Sequence, residues 1–234
     1  MVTLVPMSSI MVFIALMPLS VQLAGSYGIS VFLVNSVSIL QPIFQITFTF
    51  VSIWMFDNFS TISVVRTATL ILLLGTLVRV GCVLTGDFWP VFVGQLIACS
   101  STPFFINVQT IIANTWFGDN ERALAGAVQM VGMPLGSAIQ YLITGLLFKE
   151  KTDDFDFKTQ FETLMIIHAF IVGTLSVLFF LIMRNKPSIP PSKVATAPQE
   201  VLDYRESVTV IKENSNFLLL LIVVALPFGS FNSV

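Results

Sequence analysis

Long runs of apolar residues dominate this chain, and each is about long enough to cross a lipid bilayer. Six runs are complete and a seventh begins near the end, with approximate bounds 7–24, 30–56, 62–84, 89–114, 123–147, 161–183 and from 217. A bilayer core about 30 Å thick takes roughly 20 apolar residues per helix. Backbone polar groups in lipid must be bonded within the helix. The sequence therefore predicts an all-α protein with several membrane-spanning helices.

Composition agrees with a membrane setting and excludes other partners. Hydrophobic residues make up 55% of the 234 residues, against about 45–50% in ordinary soluble domains. The 11 Lys and Arg and the 13 Asp and Glu fall nearly all between the apolar runs. A net charge of −2 without a basic stripe excludes a nucleic-acid-binding protein. The lipid bilayer is the partner that this composition predicts.

The basic residues between the runs are divided unevenly between the two sides of the membrane. One side collects seven of them: Arg66, Arg122, Arg184, Lys186, Lys193, Arg205 and Lys212. The opposite loops hold Lys149, Lys151 and Lys158. Because short cytosolic loops carry the excess of Lys and Arg, the N-terminus and the 184–216 segment are predicted to be cytosolic. The sequon at Asn58 then faces the cytosol and should carry no glycan. The membrane itself is either the plasma membrane or a lysosomal or vacuolar membrane.

Six spans, a polar linker and a new span form the layout of one half of a major facilitator transporter plus the start of the other half. Residues 116–123, Trp-Phe-Gly-Asp-Asn-Glu-Arg-Ala, resemble the Trp-Phe-x-x-x-Glu-Arg-Ala signature of the feline leukaemia virus subgroup C receptor-related transporters. Gly75 with Arg79, and Gly94 with Gln95, also resemble that family's pattern. Tyr204-Arg205 and the segments around it are most similar to its disrupted-in-renal-carcinoma branch.

This resemblance implies a domain organisation and a function. It implies a six-helix N-terminal bundle over 1–183, a cytosolic linker over 184–216 and the start of a second transmembrane half over 217–234. The missing half of the same protein would be its partner. The implied function is transport of a small organic solute by alternating access, with choline, ethanolamine, pyridoxine and haem as family candidates. The alternative is a truncated, non-transporting scaffold or receptor-like paralogue.

The resemblance also implies where a solute would be held. Choline-transporting members hold the cation with a tryptophan in helix one and a glutamine in helix five. An ungapped alignment places Phe13 and Pro134 at those positions. Phe13 still offers a cation–π face, although a weaker one than tryptophan offers. Loss of the glutamine argues against choline specificity.

Polar residues inside the spans are the other candidates for the substrate pathway. Arg79 is either an anchor that snorkels to the membrane surface or a charge that pairs with another helix or faces the pathway. Gln95 and Asn107 lie in span four, which lines the central cavity of facilitators, yet amides in spans usually hydrogen-bond across helices. His168 is a candidate proton relay. Because no span offers it an acidic partner, the alternatives are a hydrogen-bonded structural residue or a position at the membrane interface.

The residues at the predicted cytosolic end have candidate gating roles. Asp57 stands in the loop after span two, and Trp116, Glu121 and Arg122 belong to the signature before span five. The plain interpretation is structural, since Asp119 or Asn120 can cap span five.

Gly132 and Gly136 form a pair that allows close helix packing.

Enzyme chemistry is not predicted. The sequence contains no zinc-protease, phosphate-loop or nucleophile-elbow motif. Two cysteines, Cys82 and Cys99, fit neither a disulfide framework nor a metal site and are interpreted as free thiols. No cofactor and no metal are expected.

Overall fold

The computed structural model describes residues 3–118, 120–148, 154–184, 209, 212–220 and 222–223, with the backbone alone for 154–156. Contacts divide the chain into two compact units, residues 1–195 and 196–234. Each unit is considered by itself below. The first unit contains the six complete apolar runs.

The described part of the first unit is built from α-helices and contains no strand. In chain order the helices are α1 Leu4–Ile14, α2 Ser20–Tyr27, α3 Val31–Asn58, α4 Thr61–Thr85, α5 Trp89–Cys99, α6 Thr102–Trp116, α7 Arg122–Leu147 and α8 Asp154–Ile182. They form six segments long and apolar enough to cross a membrane, namely Leu4–Tyr27, Val31–Asn58, Thr61–Thr85, Trp89–Trp116, Arg122–Leu147 and Phe157–Ile182. The predicted all-α class and the six predicted spans are confirmed.

The first and fourth spans are each divided into two α-helices at a proline, and a short 3-10 helix, Met17–Leu19, lies between α1 and α2. α1 ends at Ile14, four residues before Pro18, and α5 ends at Cys99, four residues before Pro103. A proline has no N–H for the carbonyl four residues back, and its ring clashes with that carbonyl. α3 and α7 also contain a proline but continue past it. The sequence predicts the spans correctly but does not predict which prolines interrupt them.

α4 and α5 pack backbone against backbone through two glycines. A Cβ built on Gly94 would lie 2.5 Å from the carbonyl oxygen of Gly75 and 2.7 Å from Cγ of Arg79. A Cβ on Gly75 would lie 2.5 Å from the backbone nitrogen of Ala98. Only glycine permits this approach, which is typical of small-residue contacts between membrane helices. The two family-like glycine positions therefore meet in space.

α1 contacts five other helices of the unit, α4 to α8. Its contact with α7 depends on the predicted glycine pair, since a Cβ on Gly136 would lie 2.5 Å from the carbonyl oxygen of Met7. A Cβ on Gly132 would lie 2.5 Å from Cγ2 of Thr3. Gly132 and Gly136 therefore act as packing residues, as their spacing predicts.

Large apolar side chains cover much of the outer surface, as expected of helices that face lipid or another half. Phe32, Met130 and Phe170 are each 70% or more exposed. Trp54 and Trp89 are also exposed, and the chain direction places them at opposite ends of the bundle. Tryptophan is enriched at both membrane–water interfaces, so these two residues mark the two edges of the apolar layer.

In the second unit, residues 215–220 and 222–223 are helical and exposed. The Oδ1 atom of Asn214 accepts a hydrogen bond of 3.1 Å from the backbone N–H of Phe217. Asparagine is a preferred N-cap residue, so this helix begins where the seventh span is predicted. Most of the predicted linker lies outside the described residues, and the predicted domain limits stay predictions.

Candidate functional site

α1 ends inside the bundle, and side chains from two neighbouring helices bind its terminal carbonyl groups. Nη1 of Arg79 on α4 donates to the carbonyl oxygen of Val12 over 3.2 Å. Nε2 of Gln95 on α5 donates to the same oxygen over 3.2 Å and to that of Phe13 over 3.3 Å. The last four carbonyls of a helix have no partner within it. We call this group of four residues the α1 clamp, because it supplies the donors that the helix lacks.

Arg79 lies inside the bundle and not at its surface. Arg79 is completely buried, so its guanidinium does not snorkel to the surface and instead bonds to another helix. The C-terminus of a helix carries roughly half a negative charge, which favours a cation there. Atoms Nε and Nη2 of Arg79 and Oε1 of Gln95 have no partner among the described residues.

His168 on α8 belongs to a second buried polar group. Its Nε2 lies 2.8 Å from Oε1 of Gln140 on α7, and Nε2 of Gln140 donates to Oγ1 of Thr144 over 3.1 Å. Because the amide oxygen accepts, Nε2 of His168 carries the hydrogen in this arrangement. His168 is thus hydrogen-bonded to an amide and has no acidic partner among the residues that the structure describes, as in the structural interpretation of this residue.

Asn107 also connects two helices. Its Nδ2 donates to the hydroxyl of Ser52, which is buried on α3. The Ser52 hydroxyl in turn donates to the carbonyl of Thr49 over 2.9 Å. Asn107 is half-buried and lies on α6. This arrangement is the interhelical hydrogen bonding that amides in membrane helices usually form.

The signature loop turns tightly before α7. The carbonyl of Gly118 accepts from the backbone N–H groups of Glu121, over 2.9 Å, and Arg122, over 3.1 Å. Glu121 occupies the N-cap position and makes no side-chain cap bond. The cap predicted at Asn120 is therefore wrong, because the turn places α7 one residue later; Asp119 lies outside the described residues.

Some of the predicted site residues lie together in the structure and others lie apart. Phe13, Arg79 and Gln95 meet at the α1 clamp, where Phe13 contributes its carbonyl and a half-buried side chain. Trp116 and Glu121 line one groove of about 550 Å³. Asp57 is exposed in the last turn of α3 and is not a lining residue of this groove. The pathway and gating roles of these residues stay predictions.

Sequence reasoning missed the acceptor at the centre of the clamp. Val12 takes part through its backbone carbonyl, and a carbonyl has no signal in residue type. Pro18 is no direct signal for it, since a proline removes the donor of the carbonyl four residues back, which here is Ile14. The Gln140–Thr144 pair has a local signal, because residues four apart share a helix face.

Comparison with known proteins identifies related sequences. The chain matches the Major Facilitator Superfamily over residues 2–234. The human choline/ethanolamine transporter FLVCR2 is 27% identical over 209 residues, which are 88% of this chain and 40% of that protein. The mouse choline/ethanolamine transporter FLVCR1 is 25% identical over 225 residues, 89% of this chain and 40% of that protein.

A third relative extends the group. The solute carrier family 49 member 4 homolog of Xenopus laevis is 27% identical over 198 residues, 78% of this chain and 42% of that protein. The predicted family resemblance is confirmed. The chain spans 40–42% of the length of these three relatives.

Proposed function

Because the chain belongs to the Major Facilitator Superfamily, we propose that it provides the first half of a transporter for a small organic solute. The observation that supports this proposal is that the family match extends over all six spans and into the predicted seventh. In such transporters the two halves rock against each other around a solute held near the bilayer midplane. The proposed mechanism is therefore alternating access, with the second half of the same protein as the moving partner.

The interruption of α1 is the proposed place of the solute. Transporters commonly build their sites from discontinuous helices, whose ends present backbone dipoles to the solute. The first span is discontinuous, because α1 ends at Ile14. The half-buried Phe13 offers an aromatic face beside this end. Relatives are named choline/ethanolamine transporters, so these two amines are the first to test, although Pro134 stands where the choline-transporting members have a glutamine.

Arg79 and Gln95 have a positioning role in this proposal. Both are completely buried, and both donate a hydrogen bond to a carbonyl oxygen of α1. They hold the broken end of the helix in place, while the residues near the break contact the solute. The proposal also assigns a gating role at the cytosolic end, where the N-terminus lies. The residues with this role are Asp57, Trp116, Glu121 and Arg122.

Radiolabelled uptake tests the proposal. Vesicles carrying the full-length protein with both halves are expected to accumulate at least one of choline, ethanolamine and pyridoxine. Correctly folded protein that moves none of them, with or without a pH gradient, would contradict the proposed solute class. That result would favour the non-transporting scaffold instead. The 234-residue chain without a second half is the control and is expected to show no uptake.

A further inference from the structure

Two arginines lie at the same end of the contact between α4 and α8. Cζ of Arg66 on α4 lies 5.6 Å from the centre of the Phe180 ring on α8. Arg184, two residues after the end of α8, lines a small hollow together with Thr61, the first residue of α4. α4 begins and α8 ends at this side of the bundle, which is the predicted cytosolic side. Both cations therefore lie where these two helices meet.

These two guanidinium groups are open to a partner from outside the protein. Neither Arg66 nor Arg184 forms an ion pair within the described part of the chain. Arg66 is half-buried, and of its three nitrogens only Nε is both shut off from solvent and unpartnered. Its two terminal nitrogens are accessible, and Arg184 is exposed as a whole. Arginine pairs readily with phosphate, because its planar fork donates two parallel hydrogen bonds.

An apolar groove continues from the arginines along α8. Gly173, Val177, Phe180 and Arg184 recur every three or four residues and so share one face of this helix. The groove on that face has a volume of about 450 Å³ and is lined by Ala169, Phe170, Gly173, Thr174, Val177 and Leu178. Its hollow shape depends on Gly173, since a Cβ there would meet only Cδ1 of Leu73 on α4, at 4.0 Å.

The groove has the depth of one leaflet of a bilayer. Its lining residues run from position 169 to position 178. At 1.5 Å per residue they lie about 3 to 16 Å deeper than Phe180. Half of a hydrocarbon core about 30 Å thick is about 15 Å. Phe170 and Val177 are 74% and 58% exposed, so an acyl chain can reach this surface from the lipid.

We propose that this face of α4 and α8 binds an anionic phospholipid of the predicted cytosolic leaflet. The phosphate lies between Arg66 and Arg184, and one acyl chain follows the groove past Gly173. Basic pockets between membrane helices on the cytosolic side bind anionic headgroups. The two cations select an anionic lipid over a zwitterionic one, and the groove selects a lipid over a soluble anion. The site shares no residue with the α1 clamp and does not depend on the proposed solute site.

Native mass spectrometry of the purified full-length protein measures the preference in a single detergent. Phosphatidylserine is expected to bind about 25-fold more tightly than phosphatidylcholine, or about fivefold for each arginine, which corresponds to about 1 kcal/mol per cation. Equal affinities, or no binding of phosphatidylserine to folded protein, would overturn the proposal. Glycerophosphoserine has the same headgroup without acyl chains and should not displace the lipid. Displacement at equal concentration would mean a site for soluble anions and would also overturn it.

Charge variants assign the headgroup contact. Arg66→Gln and Arg184→Gln should each lower the preference for phosphatidylserine about fivefold, while binding of phosphatidylcholine is unchanged. Arg66→Lys retains the charge and should retain most of the preference. Arg122→Gln is the control, because it removes a cation of the same predicted side at the start of α7. An equal loss in this control would show that general surface charge selects the lipid. Because Arg184 is exposed, its variant separates lipid selection from damage to the fold.

A filling variant tests the groove. Gly173→Leu places a side chain in it and should weaken binding of both lipids without changing their ratio. Gly145→Leu on α7 is the matched control, since a Cβ there meets nothing within 4 Å, and should bind both lipids like the wild type. Wild-type affinities in Gly173→Leu would overturn the assignment. Lipid binding is measured without transport, so its failure is distinguishable from failure of the proposed transport function.

Discussion

Arg79 of α4 and Gln95 of α5 donate to the same acceptor, the carbonyl oxygen of Val12, each over 3.2 Å. One oxygen of a broken helix thus connects three helices. The connection exists because Gly75 and Gly94 let α4 and α5 pack backbone against backbone. The clamp is therefore a property of the helix packing as much as of the two polar side chains.

A double-mutant cycle at the clamp should show strong coupling. In Arg79→Met or Gln95→Leu, the Val12 oxygen keeps one donor, whereas the double variant leaves it buried without any. An unsatisfied buried polar group costs about 1–3 kcal/mol, so the double variant should lose more stability than the two single losses together. Thermal unfolding in detergent measures the cycle. Gln22→Leu on the exposed side of α2 is the control, and strictly additive losses would contradict the shared acceptor.

Gly94→Ala should destabilise the bundle severely. The new Cβ would lie 2.5 Å from the Gly75 carbonyl oxygen and 2.7 Å from backbone and side-chain atoms of Arg79. Such overpacking costs about 1–3 kcal/mol or more, because the backbones must separate. Gly126→Ala is the matched control, since a Cβ there meets nothing within 4 Å, and its melting temperature should be unchanged or higher. A wild-type melting temperature for Gly94→Ala would refute the close contact.

Gln140→Leu should leave the buried Nε2 of His168 without its partner. The expected loss is about 1–3 kcal/mol of unfolding free energy. In Gln140→Leu with His168→Leu both polar partners are absent, so part of the lost stability should return. Unfolding of the wild type, both single variants and the double variant in detergent checks this. A double variant less stable than either single variant would argue against a direct pair.

Cysteine labelling tests the predicted orientation. Cys82 and Cys99 are buried free thiols, so an impermeant maleimide should not label the wild-type protein. Asn58→Cys, exposed at the end of α3, should be labelled only after the reagent reaches the cytosol. Asp87→Cys, exposed in the loop between α4 and α5, should be labelled from the opposite side of the membrane. The reverse pattern would invert the topology and would permit a glycan at Asn58.

The spans could be predicted because their signal is local. A helix of about 20 apolar residues is long enough to cross the bilayer, whichever helices lie next to it. The glycine pair of α7 was equally predictable as a packing contact, since its spacing places both residues on one face. The interruptions were not, because Pro18 ends α1 while the prolines of α3 and α7 leave their helices continuous.

The local sequence around Arg79 does not predict the contacts of its side chain. From the sequence alone, an arginine near the end of a span fits both a surface anchor and an interhelical contact. The difference depends on residues distant in sequence, since Val12 precedes Arg79 by 67 positions and Gln95 by 83.

The sequence by itself determined the class of this protein and its six spans, and the motif beginning at Trp116 predicts the group of transporters that it resembles. Apolar length and a contiguous motif are readable along the chain without knowledge of any contact. Only the tertiary structure decided that α1 ends inside the bundle and that Arg79 and Gln95 share its Val12 carbonyl. These features depend on how helices approach one another, and that approach is set by backbone contacts at glycines distant in sequence.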